Sequence, residues 1–191
     1  MTPNDPGALS PNVLKILLAF RFWGWAGFWM QVVLGVISGI ILIVFVGSRS
    51  IGGSSAGTLP GLTFAWVGLG TVGISILWHF RYTRLANKMR SPDRPTKQQT
   101  MRQVKIGLGI SLVGLLVTLL GAAAIVGSLT VKSLEAPPPG TLITGDSSSL
   151  AVQPIDLFVV QANTNTILAH YLSVLTSLWL LNRLTERMNR E

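Results

Sequence analysis

The sequence predicts an all-α integral membrane protein: one membrane domain over residues 1–191, a four-helix bundle with both termini cytoplasmic. Three observations carry this. First, 49% of the 191 residues are apolar and only 12% charged, with mean hydropathy +0.53, too few charges to clothe a water-facing surface. Second, four long apolar segments stand out, at about 22–46, 62–80, 104–127 and 157–181. A helix needs roughly 20 residues to cross about 30 Å of hydrocarbon. Third, the Lys and Arg residues sort by loop. Lys15 and Arg21 precede the first span, eight occupy the basic hairpin 81–105, and Arg183, Arg187 and Arg190 follow the fourth span, leaving Arg49 and Lys132 for the other two loops. That asymmetry places the hairpin and both termini inside. It also explains the net charge of +8 without nucleic acid. Arg81, Arg84, Lys88 and Arg90 are the candidates for anionic lipid headgroups.

Helix one is expected to start before the membrane, at Ser10 and Pro11, a cap followed by a residue suited to the first helical position. Trp23, Trp25 and Trp29 then come at the depth where indoles favour the interface. "GSRSIGGSSAGTLPG" reads as a connecting loop. Span two ends in "WHFRYTRLANKMRSP", where Tyr82, Leu85 and Met89 keep helical spacing until Pro92 forces a break. Thr96 and Gln99, at capping-box spacing, restart helix three. The outer loop 128–153, with Pro137, Pro138, Pro139 and "GDSSS", reads as irregular. Pro154 suits the first turn of helix four, and Asp156 its positive end. The first ten residues lack transit-peptide composition, which fits a bacterial protein or a mature chain whose targeting segment has already gone.

Small residues mark contact faces. Gly107, Ser111, Gly114, Thr118 and Gly121 form a near-heptad seam on span three, and Gly35 and Gly39 a GxxxG spacing on span one. Such seams serve either one tight bundle or an oligomer.

The fourth segment is unusually polar. "FVVQANTNTILAH" places Gln161, Asn163, Thr164, Asn165, Thr166 and His170 inside it. Counting back from Leu181 at about 1.5 Å per residue puts His170 about 16 Å deep. At 100° per residue, Asp156, Asn163, Thr166, His170, Ser173 and Ser177 share one face, while Gln161 and Asn165 point the other way. Three readings stand: bonding to neighbours such as Gln31, a wet path or ligand site, or a protein or pigment contact. His170 could shuttle a proton or hold a cation, but no second ligand lies three or four residues away, and His79 is expected near the cytoplasmic surface. Transient iron, bound pigment or lipid remain the conceivable cofactors, none firmly implied. With no cysteine and seven scattered acids, no catalytic constellation appears, and the chain reads as non-enzymatic.

Three stretches together resemble a known family: "PNVLKILLAFRFWGWAGFWMQVVLGVISG", "HFRYTRLANKMRSPDRPTK" and "VQPIDLFVVQANTNTILAHYLSVLTSLWLLNRL". It is a family of four-span proteins of cyanobacteria and chloroplasts, mostly of unknown function. Its plant relative is a chloroplast inner-envelope protein called both a small Tic import subunit and permease in chloroplasts. The resemblance runs from Pro11 to Arg183 and implies a cyanobacterial protein of the plasma membrane or thylakoid. It further implies a role in iron or other cation transport. The alternative is a protein-translocation component or an assembly subunit of a larger, photosynthetic membrane complex. Either role implies lipid contact and a homo-oligomer or larger complex. The family brings no settled site residues.

Overall fold

The structure, a computed structural model, describes residues 11–52, 59–91, 95–135 and 152–186. Four helices fill these ranges: α1 (Pro11–Gly52), α2 (Leu59–Lys88), α3 (Lys97–Glu135) and α4 (Pro154–Glu186). A helix satisfies its backbone hydrogen bonds internally, so it is the form in which a long apolar segment can enter hydrocarbon.

The ends of the helices follow local chemistry. After Lys88, the backbone amides of Met89, Arg90 and Ser91 donate to Leu85, Asn87 and Lys88 carbonyls and close the turn. The capping box then forms reciprocally: the Thr96 amide donates to Gln99 Oε1 at 3.1 Å, and the Gln99 amide to Thr96 Oγ1 at 3.2 Å. At the start of α4 the Gln153 amide donates to Asp156 Oδ2 at 3.0 Å. The helices reach further into the expected loops than their composition suggested: α1 continues to Gly52 and α2 begins at Leu59 within the first segment read as loop, and α3 continues to Glu135, about two turns into the second. The hydroxyls of Ser128, Thr130 and Ser133 donate back to Ile125, Val126 and Thr130 carbonyls, so these polar residues ride on the helix and do not end it. The proline run 137–139 and "GDSSS" lie outside the described residues, as do residues 53–58 of the first outer loop.

The helices pack in a ring, α1 on α2, α2 on α3, α3 on α4 and α4 back on α1. Across the ring α2 touches α4, whereas α1 and α3 stay apart. Ring neighbours are antiparallel: Gly24 meets Thr83 and Gly39 meets Leu69 between α1 and α2, and Gly61 meets Ile125 and Gly107 meets Tyr82 between α2 and α3. The cations Lys15, Arg21, Arg81, Arg84, Lys88, Lys97, Arg102, Lys105 and Arg183 therefore collect at one end of the molecule.

The distribution of polarity is inverted relative to a water-soluble bundle. The interior holds Gln31, Ser38, Ser75, His79, Ser111, Thr118, Asn163, His170 and Ser173, while Phe22, Ile43, Leu77, Leu116 and Val113 stand exposed. Two apolar clusters close the ends. One gathers Leu17, Phe20, Tyr82, Ala86, Val104 and Leu180, the other Leu42, Phe45, Ala65, Ile125, Val159 and Ala162. Among the described residues three helices are long and apolar enough to cross a membrane, α1, α2 and α3. The expected fourth span is helical throughout, yet its polar groups lower its average below that mark. They are mostly turned inward, and its outer face shows Leu157, Phe158, Leu168, Tyr171, Leu175 and Leu178.

Candidate functional site: a buried polar column

The polar face of α4 runs down the middle of the bundle. At one end Lys132 Nζ lies 2.9 Å from Asp156 Oδ2, with Asp156 nearly inaccessible. Beyond the Val159 and Ala162 layer, Asn163 Nδ2 donates to the Thr118 carbonyl at 3.1 Å. Thr118 Oγ1 donates to the Gly114 carbonyl at 2.7 Å within α3, so the backbone carbonyl of Thr118 and not its hydroxyl holds the Asn163 amide. Ser38 of α1 lies 2.9 Å from the carbonyls of both Leu34 and Ala162, tying a third helix to this level.

His170 sits two turns further along. Thr71 Oγ1 donates its proton to the Gly68 carbonyl at 2.7 Å, which leaves a lone pair facing His170 Nε2 at 3.0 Å. The network therefore places the ring proton on Nε2 and leaves Nδ1 as a bare acceptor. No described protein group bonds that atom, nor Asn163 Oδ1. Gly114 makes room for the ring, and any side chain there would meet it.

Below His170, three hydroxyls from three helices converge. Ser173 Oγ is 2.6 Å from Ser111 Oγ and 3.0 Å from Ser75 Oγ. Each is buried. Interhelical bonds in membrane proteins are worth about 0.6 kcal/mol on average, so Ser173→Ala is expected to cost about 1 kcal/mol in unfolding measured in micelles.

The column then forks. Tyr82 approaches Ser177 at 3.4 Å, and His79 pairs with Gln31. His79 Nδ1 lies 3.0 Å from Gln31 Nε2, a donor, and 3.0 Å from the Ser75 carbonyl, an acceptor. A neutral ring nitrogen satisfies one of these and not both. Turning the Gln31 amide over is no remedy, since its Nε2 also donates to the Gly27 carbonyl at 3.0 Å. Gly27 admits the imidazole: a Cβ there would come 2.5 Å from His79 Cδ2. His79 Nε2 and Gln31 Oε1 are further buried atoms without a hydrogen-bond partner among the described residues.

Asp156, Asn163, Thr166 and His170 thus share one buried face. Gln161 and Asn165 lie outside the column, bonded to each other at 3.0 Å on the outer side of α4. Gln31 belongs to the column through His79, not through α4. Gly107, Ser111, Gly114, Thr118 and Gly121 are all buried, so the α3 seam is used within this chain. Gly35 faces Val72 and Gly39 faces Leu69. Arg81 and Arg84 stack over Trp78 and Phe80 at 4.7 and 4.8 Å, and Arg84, Lys88 and Arg90 are exposed. The sequence reading did not count His79 among the column residues, yet it is buried in the bundle interior and joins the column through Gln31. The signal that would have found it is the spacing Thr71, Ser75, His79 and Thr83, a polar stripe of four-residue steps on α2. Among the described residues, no three His, Asp or Glu side chains converge as a metal site.

Fold and column define a class: a helical membrane protein that turns its polar groups toward its own interior and its apolar groups outward. The chain belongs to the family described as "protein of unknown function (DUF3611)", whose model matches residues 10–185. It is also 31% identical, over 173 residues, to "Protein TIC 21, chloroplastic" of Arabidopsis thaliana. The match covers 87% of this chain and 56% of the relative, so the chain spans little more than half the relative's length. No solved structure matches at a significant level.

Proposed function

We propose that this is a non-enzymatic, transport-related membrane protein whose buried column passes a small cation, with iron the leading candidate cargo. The observation that supports it is the pair of inward-facing acceptors, Asn163 Oδ1 and His170 Nδ1, about two turns apart on one face. Polar groups present only to hold helices together would pair off, and a buried polar atom left unpaired costs about 1–3 kcal/mol. Imidazole nitrogen and amide oxygen are neutral ligands that bind a metal cation without stranding a charge, and imidazole suits iron. The apolar clusters at both ends act as closed gates around that interior. In this reading α4 crosses the membrane with the other three helices, and the cation-rich end faces the cytoplasm of a cyanobacterial plasma membrane or thylakoid.

Proteoliposomes containing the full chain are expected to show ferrous-ion flux that His170→Ala and Asn163→Ala each lower roughly tenfold or more, the scale on which metal environments respond. Undiminished flux in both variants would remove these residues from the path.

A second reading, assembly or translocation within a larger complex, is favoured by one surface. Leu18, Arg21, Phe22, Trp25 and Trp29 line an outward groove of about 460 Å³ on α1. Stable subunits recovered in gentle detergent, without flux, would favour this reading.

A further inference from the structure

At the cation-rich end, between the first turns of α1 and the last turn of α4, Lys15, Ile16, Ala19, Trp179 and Arg183 line a crevice of about 180 Å³. Its floor is apolar and aromatic. The Trp179 ring lies 5.2 Å from Trp23, and the Arg183 guanidinium stacks over Trp179 at 5.0 Å. Stacking on one face fixes the guanidinium plane while its N–H edges remain available for a planar or tetrahedral anion. Neither Lys15 nor Arg183 forms an ion pair with a carboxylate among the described residues. The acid nearest in sequence on α4, Glu186, instead accepts the Asn182 amide at 2.9 Å.

We infer that this crevice is a specific site for an anionic phospholipid, its phosphodiester held between Lys15 and Arg183 and its acyl chains running down the α1–α4 seam. Three features select a lipid over a free anion. The two cations stand above an apolar floor, which a soluble anion does not use. The paired indoles Trp23 and Trp179 suit the membrane interface, where headgroup and chain part company. Deeper along the same two helices the exposed residues are apolar, with Phe22 and Val33 on α1 and Leu175 and Leu178 on α4. The site differs from a general attraction of the basic hairpin for anionic membranes because it depends on two helices that are far apart in sequence.

Native mass spectrometry of the full chain in detergent tests this with phosphatidylglycerol as the anionic lipid and phosphatidylcholine as the zwitterionic one. The Lys15→Gln/Arg183→Gln double variant is expected to lose phosphatidylglycerol affinity about thirtyfold, the scale of two juxtamembrane cations. Arg102→Gln/Lys105→Gln, which removes equal charge from exposed positions of α3 at the same end, should change it less than twofold, and phosphatidylcholine adducts should be unaffected in either. Brominated-chain phosphatidylglycerol should also quench tryptophan emission by a component that Trp179→Phe abolishes. That readout leaves both cations in place, so it tests the crevice separately from the charge variants. Equal losses in both double variants would mean diffuse surface charge and overturn the site. Displacement of the lipid by millimolar inorganic phosphate would overturn it in favour of a free-phosphate site.

Discussion

Gly114→Ala is expected to destabilise the protein by about 2 kcal/mol, within the usual cost of overpacking a filled interior. The His170 ring lies against the α3 backbone at Gly114, and an added Cβ would fall well inside van der Waals contact with it. The ring cannot simply swing away. Its Nε2 is held by Thr71 Oγ1 at 3.0 Å, and displacement would strand that nitrogen in a buried setting. The same substitution made in a His170→Ala background should cost nothing or stabilise, because the methyl then enters space the ring has left. Unfolding in detergent measures all four corners of this cycle, and a coupling of about 2 kcal/mol is the expected outcome. An identical penalty with and without the imidazole would show that Gly114 is required for something other than His170.

That pairing also shows where sequence reasoning stops. The four helices were legible because apolar runs, prolines and a capping box are local features, and local chemistry decides them. The inward face of α4 was legible too: Asp156, Asn163, Thr166, His170, Ser173 and Ser177 fall together at 100° per residue, and all six are buried. The α3 seam was visible by the same rule. What one chain's spacing cannot supply is the partner. Nothing in "GISLVG" says that Ser111 meets Ser173, or that the space above Gly114 belongs to a histidine 56 residues later. His79 was missed as a column residue for a related reason: its setting depends on Gly27 and Gln31 of α1, 52 and 48 residues earlier, which nothing in the α2 segment announces.

The glycines and the polar groups therefore form one device. In lipid, apolar side chains gain little by moving from tails to a protein interior, so association relies on close approach and hydrogen bonds. Gly27 and Gly114 each bring a backbone near enough for an imidazole to fit, and the imidazole then bonds to a third element or to its neighbour's side chain. Substitutions that fill these glycines should thus act on the column and on the fold together, whereas Gly70, Gly73 and Gly109, which have open space at the Cβ position, should accept alanine without strain.

Lys132→Met is expected to cost about 3 kcal/mol, more than any change at Asp156 that keeps its shape. The pair is asymmetric. The Asp156 side chain is only 2% exposed while that of Lys132 is 15% exposed, so it is the carboxylate that depends on its partner. Removing the ammonium takes away the opposite charge, while the Gln153 amide at 3.0 Å and the positive end of α4 are among the partners that still compensate the carboxylate, which is why the expected cost lies at the low end of the range for a broken buried pair. Asp156→Asn should cost about 1 kcal/mol, since the amide oxygen can still accept from the Gln153 amide and the lysine can carry its charge toward water. Lys132→Met/Asp156→Asn should therefore be more stable than Lys132→Met alone, although it carries one more substitution. Urea unfolding in micelles separates these cases. A penalty for Lys132→Met no larger than that for Asp156→Asn would mean that Asp156 does not rely on Lys132, and the clamp between the ends of α3 and α4 would have to be sought elsewhere.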